Sequence, residues 1–309
     1  MTGHVAIVGA GIAGLAAARR LREVGVDCVV FEKSRGLGGR MATRRDGDLQ
    51  FDHGAQYFTA RGARFRALVD AWQAAGAAAE WFDGGFVGVP GMSGPARAMA
   101  DGVEVAGGTR VSGLRRDADG WRVLDAEGAR DGAFAAVLLA VPAPQAVPLA
   151  ASAGVTFPAL EAVRYAPCWA LMLTFDGPSG LAEDHRRFES GAIAWIARNG
   201  SKPGRDAAPE TVVVHASPDW SRAHLETSTE DAAATLIAEL PGVGVTPAPV
   251  HAVAHRWRYA MIERAAEEPC LWDAAAGIGA CGDWCLGPRV EAAFDSGDAL
   301  GAVAAESLS

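Results

Sequence analysis

A glycine-rich turn between a short apolar strand and a helix constrains this chain more than any other feature. Val5-Ala6-Ile7-Val8 is an apolar, β-branched run, Gly9-Ala10-Gly11-Ile12-Ala13-Gly14 follows at once, and Leu15 to Val24 carries apolar residues at helical spacing. A second strand-like run, Cys28 to Phe31, ends in Glu32. Glycine pairs occur by chance in a chain with 38 Gly, but a strand before and a helix after make this a dinucleotide-binding unit in which each part has a task. Gly9 permits the tight turn, Gly11 lets backbone amides approach a pyrophosphate, and Gly14 lets the helix pack closely on the strand. With Ile12 and Ala13 they aim the helix N-terminus, and its partial positive charge, at the phosphates. Glu32 stands where a carboxylate accepts hydrogen bonds from both adenosine-ribose hydroxyls and repels a 2'-phosphate.

Lys33-Ser34-Arg35-Gly36-Leu37-Gly38-Gly39-Arg40-Met41-Ala42-Thr43 adds a second glycine pair and an arginine. The string resembles the RxGGRxxT/S signature of the flavin amine-oxidase superfamily, and that resemblance implies FAD rather than NAD. It implies Lys33 at the adenosine end, Arg35 and Arg40 on phosphate or adenosine, and Gly38 and Gly39 pressed against the cofactor. Arg44 and Arg45 read as a solvated basic loop. Asp52-His53-Gly54-Ala55-Gln56-Tyr57-Phe58 resembles the renalase branch of that superfamily, in which His53, Gly54, Ala55, Gln56 and Tyr57 would pass beside the isoalloxazine, with Gly54 leaving room for it.

With 309 residues, half of them hydrophobic and 21% charged, the chain has the makings of an α/β enzyme with a large core. A net charge of -9 argues against a nucleic-acid partner, whose binding needs a basic surface. The apolar N-terminus lacks a basic region before it, and no run is long and uncharged enough to span a bilayer, so the expectation is a cytoplasmic protein. The five cysteines fit that compartment as free thiols, and Cys281 and Cys285 lack the further ligands a zinc site requires.

Farther along, Arg61 to Ala75 has Phe65, Leu68, Val69 and Trp72 at amphipathic helical spacing, and Trp81 to Gly94 reads as strands and a loop. Val103-Glu104-Val105, Arg110-Val111 and Trp121 to Leu124 suggest a β-meander across the nucleotide sheet, with the Val111 backbone against the adenine by resemblance. Phe134 to Val141 is apolar throughout, as a strand buried on both faces should be. Arg164 to Phe175, Ile193 to Ala197, Thr211 to Ala216 and Val250 to Tyr259 read as strands, and Glu230 to Glu239 as a helix. Gly277 to Asp283 is a strand ending in Gly282-Asp283, where resemblance puts Asp283 on the ribityl chain. Pro288 and Arg289 then open the last helix, whose free amides near Val290 and Glu291 would face the flavin N1 and O2 edge.

The expected fold is α/β, a Rossmann-type FAD-binding lobe of the p-hydroxybenzoate-hydroxylase or amine-oxidase kind with an interleaved α+β substrate lobe. Residues 1–58, 98–145 and 276–309 would form the first, and 59–97 and 146–275 the second. The renalase resemblance implies an oxidase that takes hydride from 2- or 6-dihydro isomers of NAD(P), with O2 as acceptor. Such a donor becomes aromatic on losing hydride, so no strong base is needed. Gln56, Tyr57, Trp257 and Tyr259 are the candidate catalytic residues, and the rings of Tyr57, Trp257, Tyr259 and Trp284 could stack on a dihydropyridine or cage an amine equally well. Amine oxidation is the alternative, as is a non-oxidative flavoprotein. Many amine oxidases place a lysine near the flavin, but the two lysines here, Lys33 and Lys202, lie at the adenosine end and in a Pro/Gly-bounded loop. His185 and His215 read as structural or solvated.

Overall fold

The computed structural model describes residues 4–130 and 132–308. Six strands form one sheet in the order 271–273, 278–280, 136–139, 5–8, 28–32 and 104–107. All neighbours are parallel except the edge strand Leu271–Asp273, which runs antiparallel to Ile278–Ala280. That edge strand precedes the boundary expected at residue 276, so the sheet begins earlier than the sequence suggested.

Strand alternation explains the layers. Val5, Ile7, Val30, Ala136 and Leu138 point to the first helix, Ile12–Glu23, and the last, Val290–Leu308. Ala6, Val8, Val29, Phe31, Val137 and Leu139 point the other way, onto Leu114, Trp121 and Val123 of a small antiparallel sheet and onto the helix Ala143–Ser152. The two long helices touch closely because Gly297 and Gly301 have no side chain: a Cβ would lie 2.0 Å from the Ala13 carbonyl oxygen at the first and 2.8 Å from that of Ala17 at the second.

The small sheet is the expected meander in part only. It comprises Gly113–Asp117, Gly120–Asp125 and Gly128–Ala129. Glu104–Gly107 instead pairs in parallel with Cys28–Glu32, and Arg110-Val111 is not a strand. A three-residue alternating run does not distinguish an edge strand of one sheet from a strand of the next.

The second large sheet is antiparallel, in the order 185–187, 193–198, 210–216, 164–175 and 251–264. One face, with Trp169, Leu171, Leu173, Val212 and Val214, packs on Ala232, Ala233 and Leu236 of the helix Thr229–Glu239. The amphipathic helix is Ala63–Ala74, with Phe65, Val69 and Trp72 buried, and Ala78–Phe82 pairs with Gly85–Gly88 as a hairpin.

Candidate functional site

At the head of the first helix each glycine meets a different constraint. Gly9 has φ +108°, and a Cβ there would lie 2.5 Å from the Ala140 carbonyl oxygen; at Gly14 it would lie 1.9 Å from that of Gly9. At Gly11 a Cβ would meet nothing within 4 Å, and at Gly39 its nearest neighbour is the Gly11 Cα at 3.7 Å. The helix has no side-chain cap and no acidic residue in its first turn. Its leading N–H groups, those of Ile12, Ala13 and Gly14, therefore lack intrahelical acceptors, as a pyrophosphate site requires. Gly38 ties the second loop to the first by donating its N–H to Ala10 at 2.9 Å.

Glu32 is buried at the end of its strand and accepts from the N–H groups of Ala10 at 2.9 Å and Ser34 at 2.8 Å. Its carboxylate is thus fixed against the glycine turn, with lone pairs left for a ribose. Thr109 donates its N–H to the Glu32 carbonyl at 2.8 Å, which brings the chain toward Val111 past this point. Lys33 and Arg35 are exposed beside it. Glu32→Ala would leave two N–H groups unsatisfied, each costing about 1–3 kcal/mol, and should weaken FAD binding about 100-fold. Reconstitution of the stripped protein with FAD measures this directly; unaltered affinity would remove Glu32 from the cofactor site.

At the other end of the cradle three of the expected cofactor residues also have partners within the protein. At Gly54 the backbone by itself excludes a side chain, because a Cβ there would lie 2.0 Å from the carbonyl oxygen of Arg40, which also accepts the Ala55 N–H at 2.8 Å. Arg40 forks onto Asp283, with Nη1 2.8 Å from Oδ2 and Nη2 2.6 Å from Oδ1, and donates to the Ala260 carbonyl at 3.2 Å. These groups, expected on phosphate and ribityl chain, engage each other because opposite charges in a poorly hydrated place gain most from direct, bidentate pairing. Glu291, expected to act through its amide, also has a buried carboxylate that accepts from the N–H groups of Arg61 at 2.9 Å and Gly62. It clasps the last helix to the start of the helix Ala63–Ala74. Gly282 donates its N–H to the Ser296 hydroxyl at 3.1 Å, which binds the Gly-Asp turn to the last helix a little beyond Arg289 and Val290.

The sheet register assembles the rest. Trp195, His215, Ala170 and His255 stand opposite one another across four strands, so their side chains share one face. Trp257, two residues beyond His255, and His185, opposite Ala197, extend that face. Phe51 packs on Met172 and Val213 of the same face and so delivers Asp52 to Tyr57 over it. The His53 carbonyl accepts from Trp257 Nε1 at 3.0 Å and from His215 Nε2 at 3.2 Å, which fills both of its lone pairs. The His53 ring lies 4.9 Å from that of His255 and 5.0 Å from Trp257. Tyr57 packs edge-on against Phe82 at 4.9 Å and beside Trp195 at 5.7 Å, and His185 stacks on Trp195 at 4.9 Å.

Gln56 spends both amide hydrogens on the carbonyls of Asp52 and Gly54, at 2.5 and 3.1 Å. Its Oε1 is thereby turned to Lys202 Nζ, 3.0 Å away. Lys202 is fully buried, as are Asp52, whose Oδ2 is 3.6 Å from Nζ, and Arg205, which pairs with the same oxygen. Burial pushes the Lys202 ammonium down to about 8, against the opposing pull of Asp52. Burial likewise takes His53 down to about 3, with His255 and Arg44 adding to it, and His215 to about 4. Arg44 is thus close enough to act on the site and is only partly exposed, unlike the solvated loop expected.

Of the four candidate catalytic residues, Gln56 joins Lys202, Tyr57 joins Trp195, and Trp257 joins His53. Tyr259 lies instead 5.5 Å from Tyr165, whose hydroxyl accepts the Ala143 N–H at 3.1 Å. Trp284 is wholly buried in the core and donates to the Val141 carbonyl at 3.1 Å, so it stacks on no ligand. Sequence reasoning missed Asp52, His185, Lys202, Arg205 and His215. Only His215 carried a local signal, since Val212 and Val214 on one face of a strand put His215 on the other.

No helix among the described residues is long and apolar enough to cross a membrane, and none of their His, Cys, Asp and Glu side chains group as a metal site. Residues 7–72 match the NAD(P)-binding Rossmann-like domain and residues 73–268 the flavin containing amine oxidoreductase family. A 4,4'-diapophytoene desaturase of Staphylococcus haemolyticus is 38% identical over 76 residues, 21% of this chain and 15% of the desaturase. The chain therefore matches only a small part of the length of such curated relatives. Over the whole fold, a candidate protoporphyrinogen oxidase from Exiguobacterium sp. 255-15 superposes with TM-score 0.77 at 15% identity, covering 99% of both chains. Cyclohexylamine oxidase from Brevibacterium oxydans gives 0.68 at 12% identity, also with 99% of each chain covered. The uncapped helix N-terminus, the fixed Glu32 and a family model spanning most of the chain agree: the protein binds FAD and belongs to the flavin containing amine oxidoreductase family.

Proposed function

We propose that the protein is an oxidase of 2- or 6-dihydro isomers of NAD(P), as in the renalase branch. One observation carries this reading: every carboxylate of the site is already engaged by a protein donor, and burial holds its two central histidines neutral. Asp52 is paired with Arg205 and Lys202, Asp283 with Arg40, and Glu291 with backbone N–H groups, while His53 and His215 are held near 3 and 4. A dihydropyridine needs no strong base, because hydride loss alone makes it aromatic. The flat walls of Tyr57, Phe82, Trp195 and His185 suit a planar ring, and no unpaired carboxylate among these awaits an ammonium group. Bound FAD supplies the hydride acceptor, and the overall change is dihydro-NAD(P) plus O2 and a proton to NAD(P)+ and H2O2. In this reading residues 9–14, 32–40 and 282–291 hold the cofactor, and the antiparallel sheet forms the substrate wall.

A second reading, amine oxidation, is favoured by Lys202. Its burial beside Gln56 supplies the lysine that its place in a Pro/Gly-bounded loop argued against, and at about 8 part of it is a neutral base near neutral pH. Anaerobic mixing with 2- and 6-dihydro-NAD(P), NADH and a panel of amines separates the two. Rapid bleaching of the flavin by the isomers alone, with peroxide on admission of air, is the expected result. Bleaching by an amine instead would establish the second reading and overturn the first.

A further inference from the structure

The buried group of Asp52, Lys202 and Arg205 holds two cations against one anion, all with side-chain exposure of 1% or less. Such an arrangement is costly to form, and a fold that needed only packing would gain by replacing it with apolar groups. Every acceptor of Asp52 is engaged: Oδ1 takes the Thr43 hydroxyl at 2.8 Å and the Met92 N–H at 2.9 Å, and Oδ2 takes Arg205 Nε at 3.0 Å and Nη2. Among the described residues, Lys202 is the member left incompletely bonded. Of its three donors one reaches Gln56 Oε1; Asp52 Oδ2, at 3.6 Å, is an ion-pair neighbour beyond hydrogen-bond distance, and the face of Trp81 lies 5.3 Å away. Trp81 belongs to the same ring cluster as His185 and, through it, Trp195 and Tyr57.

We infer that Asp52 is a positioning residue of the reaction site: clamped by Arg205, it holds Lys202 Nζ against Gln56 Oε1 with donor capacity directed to a ligand seated among Trp81, Trp195 and Tyr57. Asp52 acts through Lys202 and touches no ligand itself. The inference rests on this cluster being the reaction site but not on which substrate is oxidised.

The charged and titratable groups facing Lys202 are Asp52, Arg205, His185 and His215. Asp52 favours the charged lysine and Arg205 disfavours it, so removing them should act in opposite directions. Only two lysines are present, so lysine labelled with 13C at Cε gives two resonances, and Lys202 can be followed in the intact holoprotein. The wild-type midpoint is expected near 8. Asp52→Asn should lower it by about one pH unit or more, the usual effect of losing an opposite charge at this distance, and Arg205→Gln should raise it by about one unit. With FAD still bound, Asp52→Asn should also slow flavin reduction on the order of tenfold, with the alkaline limb of the rate moving the same way as the resonance.

A Lys202 midpoint unmoved by Asp52→Asn overturns the inference, as does a shift of the same sign in both variants, which is what general loosening would produce. Should Asp52→Asn fail to fold, the upward shift in Arg205→Gln decides alone. Correct shifts combined with an unchanged reduction rate would show a structural ion cluster only. The lysine titration needs no substrate, so it stands even if the dihydro-NAD(P) reading fails.

Discussion

Gly54→Ala should yield a protein that has lost most of its flavin and unfolds about 5 °C lower, while Gly11→Ala should lose flavin but keep its melting temperature as apoprotein. The two glycines look alike in sequence, and both lie in strings suggestive of cofactor contact. Their surroundings differ. A Cβ at Gly54 would sit 2.0 Å from the Arg40 carbonyl oxygen, backbone against backbone, whereas one at Gly11 meets no protein atom within 4 Å. Backbone does not yield as a flexible side chain does, so the segment from Asp52 to Gln56 must lift off the second glycine loop. That misfit costs about 3 kcal/mol at the upper end of overpacking penalties, or about 5 °C for a chain of this length. Flavin is lost as well, because Arg40 moves with its carbonyl. At Gly11 the added methyl occupies only the space a pyrophosphate would take. Melting curves of both apoproteins, with flavin absorbance after purification, test the pair. Equal stability of G54A and wild type would mean that the Arg40 contact does not constrain the loop, and the room Gly54 leaves for the flavin would be the reason for glycine there.

The contrast marks where sequence reasoning runs out. The strand-turn-helix unit is legible because its constraints are local: Gly9, Gly14 and the strand they cap lie within one turn of each other. The long strand Arg164–Phe175 is legible for the same reason, as an extended apolar and β-branched run. Gly54 is different, since the atom that forbids a side chain there belongs to Arg40 and comes close only after two loops have stacked. Lys202 is the extreme case. Its bond to Gln56 spans 146 residues and the Arg205 bond to Asp52 spans 153, and a Pro/Gly-flanked lysine reads locally as surface. Nothing in the loop announces that two neighbouring cations will be buried on one distant carboxylate. Composition held the one hint: lysine is rare in this chain, and a residue used only twice is less easily dismissed as solubilising charge.

Asp283→Ala should destabilise the protein by about 3 kcal/mol and strip it of FAD, and the two effects should separate in a double variant. Asp283 and Arg40 form a bidentate pair with side-chain exposures of 10% and 29%. Removing one member of a largely buried pair leaves the other charge without compensation, the situation in which ion pairs cost most to break. The Ala260 carbonyl, 3.2 Å from Nη1, is then the remaining acceptor and cannot neutralise the guanidinium. Replacing Arg40 with Met in the same protein removes the stranded charge, so part of the stability should return, with a coupling energy of about 2 kcal/mol between the sites. Flavin should not return with it, because both residues stand where the glycine loop meets the Gly-Asp turn and the double variant presents no polar group there. Denaturant unfolding of the four apoproteins, with FAD reconstitution of each, completes the cycle. If the double variant regained both stability and flavin, the pair would be a fastening between the first and last segments of the chain and no part of the cofactor site.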